Sequence, residues 1–200
     1  MFRPAGLDGK QFAAGEGFEF SLHVFERSCG AWEDYVRALK EWGRGRAALD
    51  EVERSRVRVD LGATHADVNR VRVDFVTPTE LKSGAQVVAE PEFRVLLARV
   101  RDRLSTLTSF YGSGALPIDF AEFGERAGRV RIEASCLTPV HAERVSSRTG
   151  QKHSIGGFTG FAEYSGDLAQ FIPFLEAAQY TGVGRQTTWG KGEIRLSRLD

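Results

Sequence analysis

Near the end of the chain, Thr181-Gly-Val-Gly-Arg-Gln-Thr-Thr-Trp-Gly-Lys-Gly-Glu-Ile194 gathers residue types suited to holding an anion. Two Gly-x-Gly pairs, Gly182/Gly184 and Gly190/Gly192, bracket Arg185, Thr187, Thr188 and Trp189. Glycines let a backbone turn sharply and approach another backbone closely. Exposed N–H groups in such a turn suit a phosphate. Arg185 and Lys191 add positive charge, and the Trp189 indole offers a face for stacking a base.

The spacing excludes two phosphate-binding loops. A P-loop keeps four residues between its first glycine and Gly-Lys, and Ser or Thr follows. Here five residues separate Gly184 from Gly190, and Gly192 follows Lys191. The dinucleotide fingerprint needs a glycine where Thr187 stands and a helix afterwards. Glu193-Ile-Arg-Leu-Ser-Arg-Leu199 alternates like a strand instead. On these residues alone, a purely structural glycine turn accounts for the loop equally well.

A second polar stretch runs from Pro139 to His153. It sets His141, Arg144, Arg148, Lys152 and His153 against one acid, Glu143, with Ser146, Ser147, Thr149 and Gln151 between them. Lying between two predicted strands, it reads as a hairpin able to pass phosphate contacts along a nucleic-acid strand. A solvated hairpin tip is the plainer alternative. Histidine can move a proton near neutral pH, but His23 falls on a predicted strand, His65 in a loop, and His141 and His153 in the hairpin. None is assigned a catalytic role. The sequence has no serine elbow, paired-carboxylate motif or metal-ligand cluster, so no metal and no cofactor is expected.

The elements that must carry these segments follow from periodicity. Phe18, Phe20, Leu22 and Val24 alternate with polar residues, as in a half-buried strand. Trp32, Tyr35, Val36 and Leu39 have helical spacing, and Gly43-Arg-Gly45 ends that helix. Val57, Val59 and Leu61 predict a second strand, and Val71, Val73 and Phe75 a third, before Thr77-Pro-Thr-Glu-Leu-Lys82 breaks the pattern. Pro91 opens a long amphipathic helix through Phe93, Leu96, Leu97, Val100, Leu104 and Leu107. Val130, Ile132, Ala134 and Cys136 alternate again, and Gly157–Tyr164 is a further strand. Leu168, Phe171, Ile172 and Leu175 predict a helix that Pro173 kinks or delays. Arginines line the polar strand faces as Arg56/Arg58, Arg70/Arg72 and Arg129/Arg131. Such a face suits an RNA backbone, or is merely a solvated face paired with Asp60, Asp74 and Glu133.

The order strand-helix-strand-strand-helix-strand predicts an α+β, ferredoxin-like (βαββαβ) sandwich over residues 63–200. Residues 1–62 read as a partial unit of βαβ form. The 200 residues are 42% hydrophobic, and 27 basic residues balance 27 acidic ones, so a polyanion would need a local basic surface. Two distant cysteines, Cys29 and Cys136, argue for a reducing compartment. No apolar run reaches membrane-spanning length, and no signal-peptide core opens the chain. A cytoplasmic protein without a membrane partner is expected.

With these residues in place, the chain resembles the CRISPR-associated repeat endoribonucleases of the RAMP superfamily. Gly182-Val-Gly184, Arg185 to Trp189 and Gly190-Lys-Gly192 resemble that family's glycine-rich signature in spacing and position, with Lys191 where a hydrophobic residue is common. Thr77–Lys82, the arginine-rich Phe93–Leu107 helix, Arg144–Gln151 and Gly156-Gly-Phe-Thr-Gly160 are similar to family features. Leu7-Asp-Gly9 and Gly15-x-x-Phe-x-Phe20 resemble the middle of longer members, which have two tandem ferredoxin-like units. The resemblance therefore implies that the first half of the first unit is missing. It also implies metal-independent cleavage, in which a ribose 2′-hydroxyl attacks the adjacent phosphate and leaves a 2′,3′-cyclic phosphate. The family's general-base histidine has no matching position here, so activity of this chain stays open. The implied partner is CRISPR repeat RNA, with other CRISPR-associated subunits a further expectation. The candidate RNA contacts are Arg144, Arg148, Lys152, His153, Gly182, Gly184, Arg185, Trp189, Gly190, Lys191 and Gly192. The alternatives are a non-catalytic guide-RNA-binding subunit and a ferredoxin-like protein-interaction module.

Overall fold

Alternating apolar residues on four segments build the centre of the molecule. The computed structural model describes residues 1–3, 6–7, 10–25, 31–62, 68–112, 114–145, 150–154 and 156–199. In chain order the elements are β1 (Phe2–Arg3), β2 (Ser21–Leu22), α1 (Ala31–Gly43), β3 (Arg70–Thr79), β4 (Lys82–Ser83), β5 (Gln86–Val87) and α2 (Phe93–Tyr111). They continue with α3 (Phe120–Ala127), β6 (Arg131–Val140), β7 (Glu143–Val145), β8 (Lys152–Ser154), β9 (Gly157–Ser165), α4 (Ile172–Thr181) and β10 (Ile194–Arg198). The main sheet has four strands in the order β10-β3-β9-β6, all antiparallel. The chain is thus a mixed α+β protein with antiparallel sheets, as expected.

Strand alternation sends Val71, Val73 and Phe75 of β3, Ala162 and Tyr164 of β9, and Ile194 of β10 to the helix-covered face, where all are buried. Phe93, Leu96, Leu97, Val100 and Leu104 of α2 meet them from above, with Ile172, Leu175 and Ala178 of α4 alongside. Aromatic edges lock this core: Phe93 lies 5.0 Å from Tyr164 and 5.3 Å from Phe171, centroid to centroid. The buried Tyr164 hydroxyl donates to the Pro91 carbonyl at 2.7 Å, and burial pushes its phenol pKa upward. Pro173 falls in the first turn of α4, so the helix starts late, after a 3₁₀ turn over Ala169–Phe171.

Three details differ from the sequence expectation. The strand around Phe18–Val24 is restricted to Ser21–Leu22, which pairs with Phe2–Arg3. No strand forms over residues 57–61. Val57, Val59 and Leu61 instead line a cleft of about 290 Å³ with Leu104, Leu107 and Ala177. Val57 and Val59 remain exposed at the cleft wall and only Leu61 is half-buried, so this alternation does not bury a strand face. In β6, a register shift between Ile132 and Ala134 turns Cys136 outward, where it is exposed, and Leu137 inward. The α3 helix was not expected. It is short, is capped by Asp119 accepting from Ala121 and Glu122, and buries Phe123 and Ala127.

Among the described residues, no helix is long and apolar enough to cross a membrane. Cys29 and His65 lie outside the described residues.

Candidate nucleic-acid interface

Between α4 and β10 the glycine loop folds against the irregular end of β3. Pairing of β3 with β9 shifts register between Phe75 and Thr79, and Thr77-Pro-Thr-Glu-Leu81 becomes a seat for the loop. Gly192 N donates to the Pro78 carbonyl at 3.2 Å and Arg185 N to the Glu80 carbonyl at 3.2 Å. Glu193 N donates to Thr77 Oγ1 at 2.9 Å. Inside the loop, Val183 N donates to the Gly192 carbonyl at 2.9 Å and Gly190 N to Thr187 O at 3.2 Å.

These bonds correct one expectation. The N–H groups of Val183, Arg185, Gly190 and Gly192 are spent on the protein's own carbonyls rather than held out to an anion. Two of the four loop glycines, Gly184 and Gly192, serve the close approach itself. All four have positive φ. At Gly192, a Cβ would fall 1.9 Å from the Val183 carbonyl oxygen, so no larger residue fits.

What the loop presents outward is side chains. Arg185 is 51% exposed, and its Nη1 donates to Glu80 Oε1 at 2.6 Å. Trp189 closes a 3₁₀ turn over Thr187–Trp189 and is 47% exposed. Lys191 points the other way. It is buried, and its ammonium donates to the Gly156 carbonyl and to Gln186 Oε1 at 3.0 Å, with Glu80 Oε2 at 3.9 Å. Burial lowers the Lys191 pKa, Glu80 opposes that shift, and Arg185 adds to it.

The basic segment does contain a hairpin. β7 and β8 pair antiparallel, with Arg144 opposite His153 and Val145 opposite Lys152. Lys152 is 70% exposed and lies 3.5 Å from Glu143. Arg148 lies outside the described residues. Gly156, at the foot of the hairpin, is the residue whose carbonyl Lys191 holds. Lys191 therefore joins the two candidate segments, which are far apart in sequence. His141 is exposed beside the hairpin. His23 lies elsewhere, with Nδ1 2.9 Å from the Tyr180 carbonyl oxygen.

The open face of the main sheet is less basic than its arginines suggest. Arg72 donates to Asp74 at 2.9 Å, lies 3.9 Å from Glu163 and covers the Phe161 ring at 3.6 Å. Arg70 is 3.8 Å from Glu163. On β3 the solvated, acid-paired alternative holds, with Glu163 as an added acid. Arg56 and Arg58 belong to the segment that is not a strand. Among the described residues, no group of three or more His, Cys, Asp and Glu side chains could hold a metal ion.

Sequence reasoning assigned no role to Glu80, which touches both loop cations. Its signals were its place in the break after β3 and in Thr77–Lys82, a stretch similar to a family feature.

Comparison with known proteins converges on one family. The family described as CRISPR-associated endoribonuclease Cas6 matches residues 73–194. Two Mycobacterium tuberculosis proteins so described, from strains CDC 1551 / Oshkosh and ATCC 25618 / H37Rv, are each 29% identical over 136 residues. That covers 66% of this chain and 40% of each relative, so the chain spans about 40% of the length of these relatives. Among solved structures, Thermus thermophilus Cas6 is similar with TM-score 0.51 at 18% identity, covering 64% of this chain and 53% of that one. A Cas6 product complex gives TM-score 0.53 at 18% identity, over 69% and 54% of the two chains. At that identity the likeness is one of fold.

Proposed function

Because the chain belongs to the CRISPR-associated endoribonuclease Cas6 family, whose match spans residues 73–194, we propose that it binds CRISPR repeat RNA and serves in its processing. The observation that carries the reading is the Lys191 contact to the foot of the hairpin. It puts the exposed Arg185 and Trp189 on one frame with the strand pair that bears Arg144, Lys152 and His153. A hairpin RNA needs contacts along its backbone and a place for an unstacked base. In this reading Arg185 and Lys152 meet phosphates, with Arg144, Arg148 and His153 continuing the track, and Trp189 stacks. Gly182, Gly184, Gly190, Gly192 and Lys191 act by shaping the loop.

Residues 63–200 are proposed as a complete ferredoxin-like unit and residues 1–62 as a partial one. Support for the first is the order of β3, α2, β6, β9, α4 and β10. For the second it is the β1–β2 pair and α1.

The family chemistry proposed for the RNA is attack of the 2′-hydroxyl on its neighbouring phosphate, with cations such as Arg185 stabilising the charge on the pentacoordinate phosphate. These 200 residues alone are expected to cleave weakly or not at all. General acid–base catalysis contributes roughly 10²–10⁴-fold and needs a proton-transferring group at the scissile phosphate. His23 is engaged with the Tyr180 carbonyl instead.

The test is binding of the organism's own hairpin repeat RNA across a salt titration. Replacing Arg148, Lys152 and Arg185 by alanine is expected to lower both affinity and salt slope, since each phosphate contact releases counterions. A triple variant that tracks the wild type at every salt concentration refutes the interface. In EDTA, little product ending in 2′,3′-cyclic phosphate is expected. Efficient single-site cleavage refutes the assignment of weak activity.

A further inference from the structure

One buried acid serves two cations of unequal freedom. Glu80 follows β3, and its carboxylate is 8% exposed. Its Oε1 accepts from Arg185 Nη1 at 2.6 Å, and its Oε2 faces Lys191 Nζ at 3.9 Å. Arg185 is 51% exposed, whereas Lys191 is 6% exposed. The lysine is also tied to the Gly156 carbonyl and to Gln186 Oε1. One partner of Glu80 can swing into solvent, and the other is fixed.

A buried carboxylate left without a cation is strongly unfavourable. Were Arg185 the sole partner, moving its guanidinium to a phosphate would strand the Glu80 charge, and Arg185 would stay where it is. With Lys191 fixed behind it, Glu80 keeps a counter-ion when Arg185 leaves. Burial works against the lysine's charge and Glu80 supports it.

We infer that Lys191 is a positioning residue that acts through Glu80, keeping the buried acid neutralised so that Arg185 can transfer to an RNA phosphate. The inference rests on the RNA-binding reading above. It gives Lys191 a part in RNA binding without RNA contact.

Salt-titrated binding of hairpin repeat RNA by the intact chain tests it. The proteins compared are the wild type, Arg185→Ala, Lys191→Met, and Lys191→Met combined with Glu80→Gln. Loss of one phosphate contact lowers the slope of log affinity against log salt by about one. Arg185→Ala is expected to show that drop. Lys191→Met is expected to show the same drop although Arg185 is intact, and adding Glu80→Gln is expected to restore the wild-type slope. A lysine that only props the loop through Gly156 and Gln186 would give no restoration. A double variant that stays at the Lys191→Met slope therefore overturns the inference, as does a Lys191→Met slope equal to the wild type's. If Lys191→Met does not fold, Lys191→Gln keeps an N–H for Gly156 and carries the same comparison. An Arg185→Ala slope equal to the wild type's would instead sink the Arg185–phosphate contact of the RNA-binding reading, and this inference with it.

Discussion

The glycine loop and the basic hairpin both carry cations and meet where Lys191 holds the Gly156 carbonyl, but they are held by different means. The loop is fixed by backbone bonds to distant chain, at Pro78 and Glu80, and by a buried ammonium in its interior. The hairpin is held by its own short ladder, and its described ion pair, Lys152–Glu143, is largely exposed. An exposed pair contributes roughly 0–1 kcal/mol and is screened by salt. The difference teaches where rigidity comes from. Arg185 is held beside the loop by an immobilised carboxylate until it transfers, so it has less freedom to lose on binding than a solvated lysine. Lys152 keeps most of its rotamers and must give them up in a complex. Equal charges on the two segments therefore should not carry equal weight.

The sharpest way to break this comparison is to disturb the backbone. Gly192→Ala places a Cβ 1.9 Å from the Val183 carbonyl oxygen, where backbone must move. The loop is expected to lose its seat, with about 3–5 kcal/mol of stability gone. Urea unfolding of the variant against the wild type measures it. A loss under about 1 kcal/mol would show that the loop is no more fixed than the hairpin.

Next in size is the contrast between single cations. Arg185→Ala removes a charge-assisted contact, of a kind worth about 1.5–3 kcal/mol, from a cation held at the loop, and is expected to weaken RNA binding roughly tenfold or more. Lys152→Ala removes an exposed, mobile cation and is expected to cost no more than about threefold, within the range of about 0–1 kcal/mol for surface pairs. Filter binding at one moderate salt concentration ranks the two. The reverse ranking would move the main contact to the hairpin.

Much of the fold was legible in the sequence, and the illegible part has a physical reason. The core strands and helices were readable because Val71, Val73 and Phe75, or Leu96, Leu97 and Val100, bury one face with a fixed period. The chain match over residues 73–194 accords with the glycine spacing. Alternation failed at residues 57–61, where Val57 and Val59 stay exposed at the wall of an open cleft, and at Glu133, where an inserted residue inverts the faces of β6. The direction of Lys191 was unreadable for another reason. Lysine in a glycine loop suggests a phosphate, and only the carbonyl of Gly156, 35 residues earlier, and the carboxylate of Glu80 show that it is turned inward. Contacts between segments so far apart leave no periodic trace.

The smallest expected effect tests the hairpin side. Gly150 has φ +66°, close to the +69° of Gly192, so both glycines sit in the left-handed region. Their surroundings differ. A Cβ on Gly150 meets nothing within 4 Å among the described residues. Gly150→Ala should therefore cost only the intrinsic left-handed penalty of an L-residue, about 1–2 kcal/mol, with no clash added. Because the hairpin's short ladder is not part of the main sheet, even that loss should fall on the hairpin more than on global unfolding. Hydrogen exchange is the suitable measurement. Amides of residues 143–145 and 152–154 should lose protection while those of β3 and β9 keep theirs. Protection lost across the main sheet as well would mean that the hairpin and the core open together. The two regions would then be one cooperative unit, and the distinction between a fixed loop and a separately held hairpin would fail.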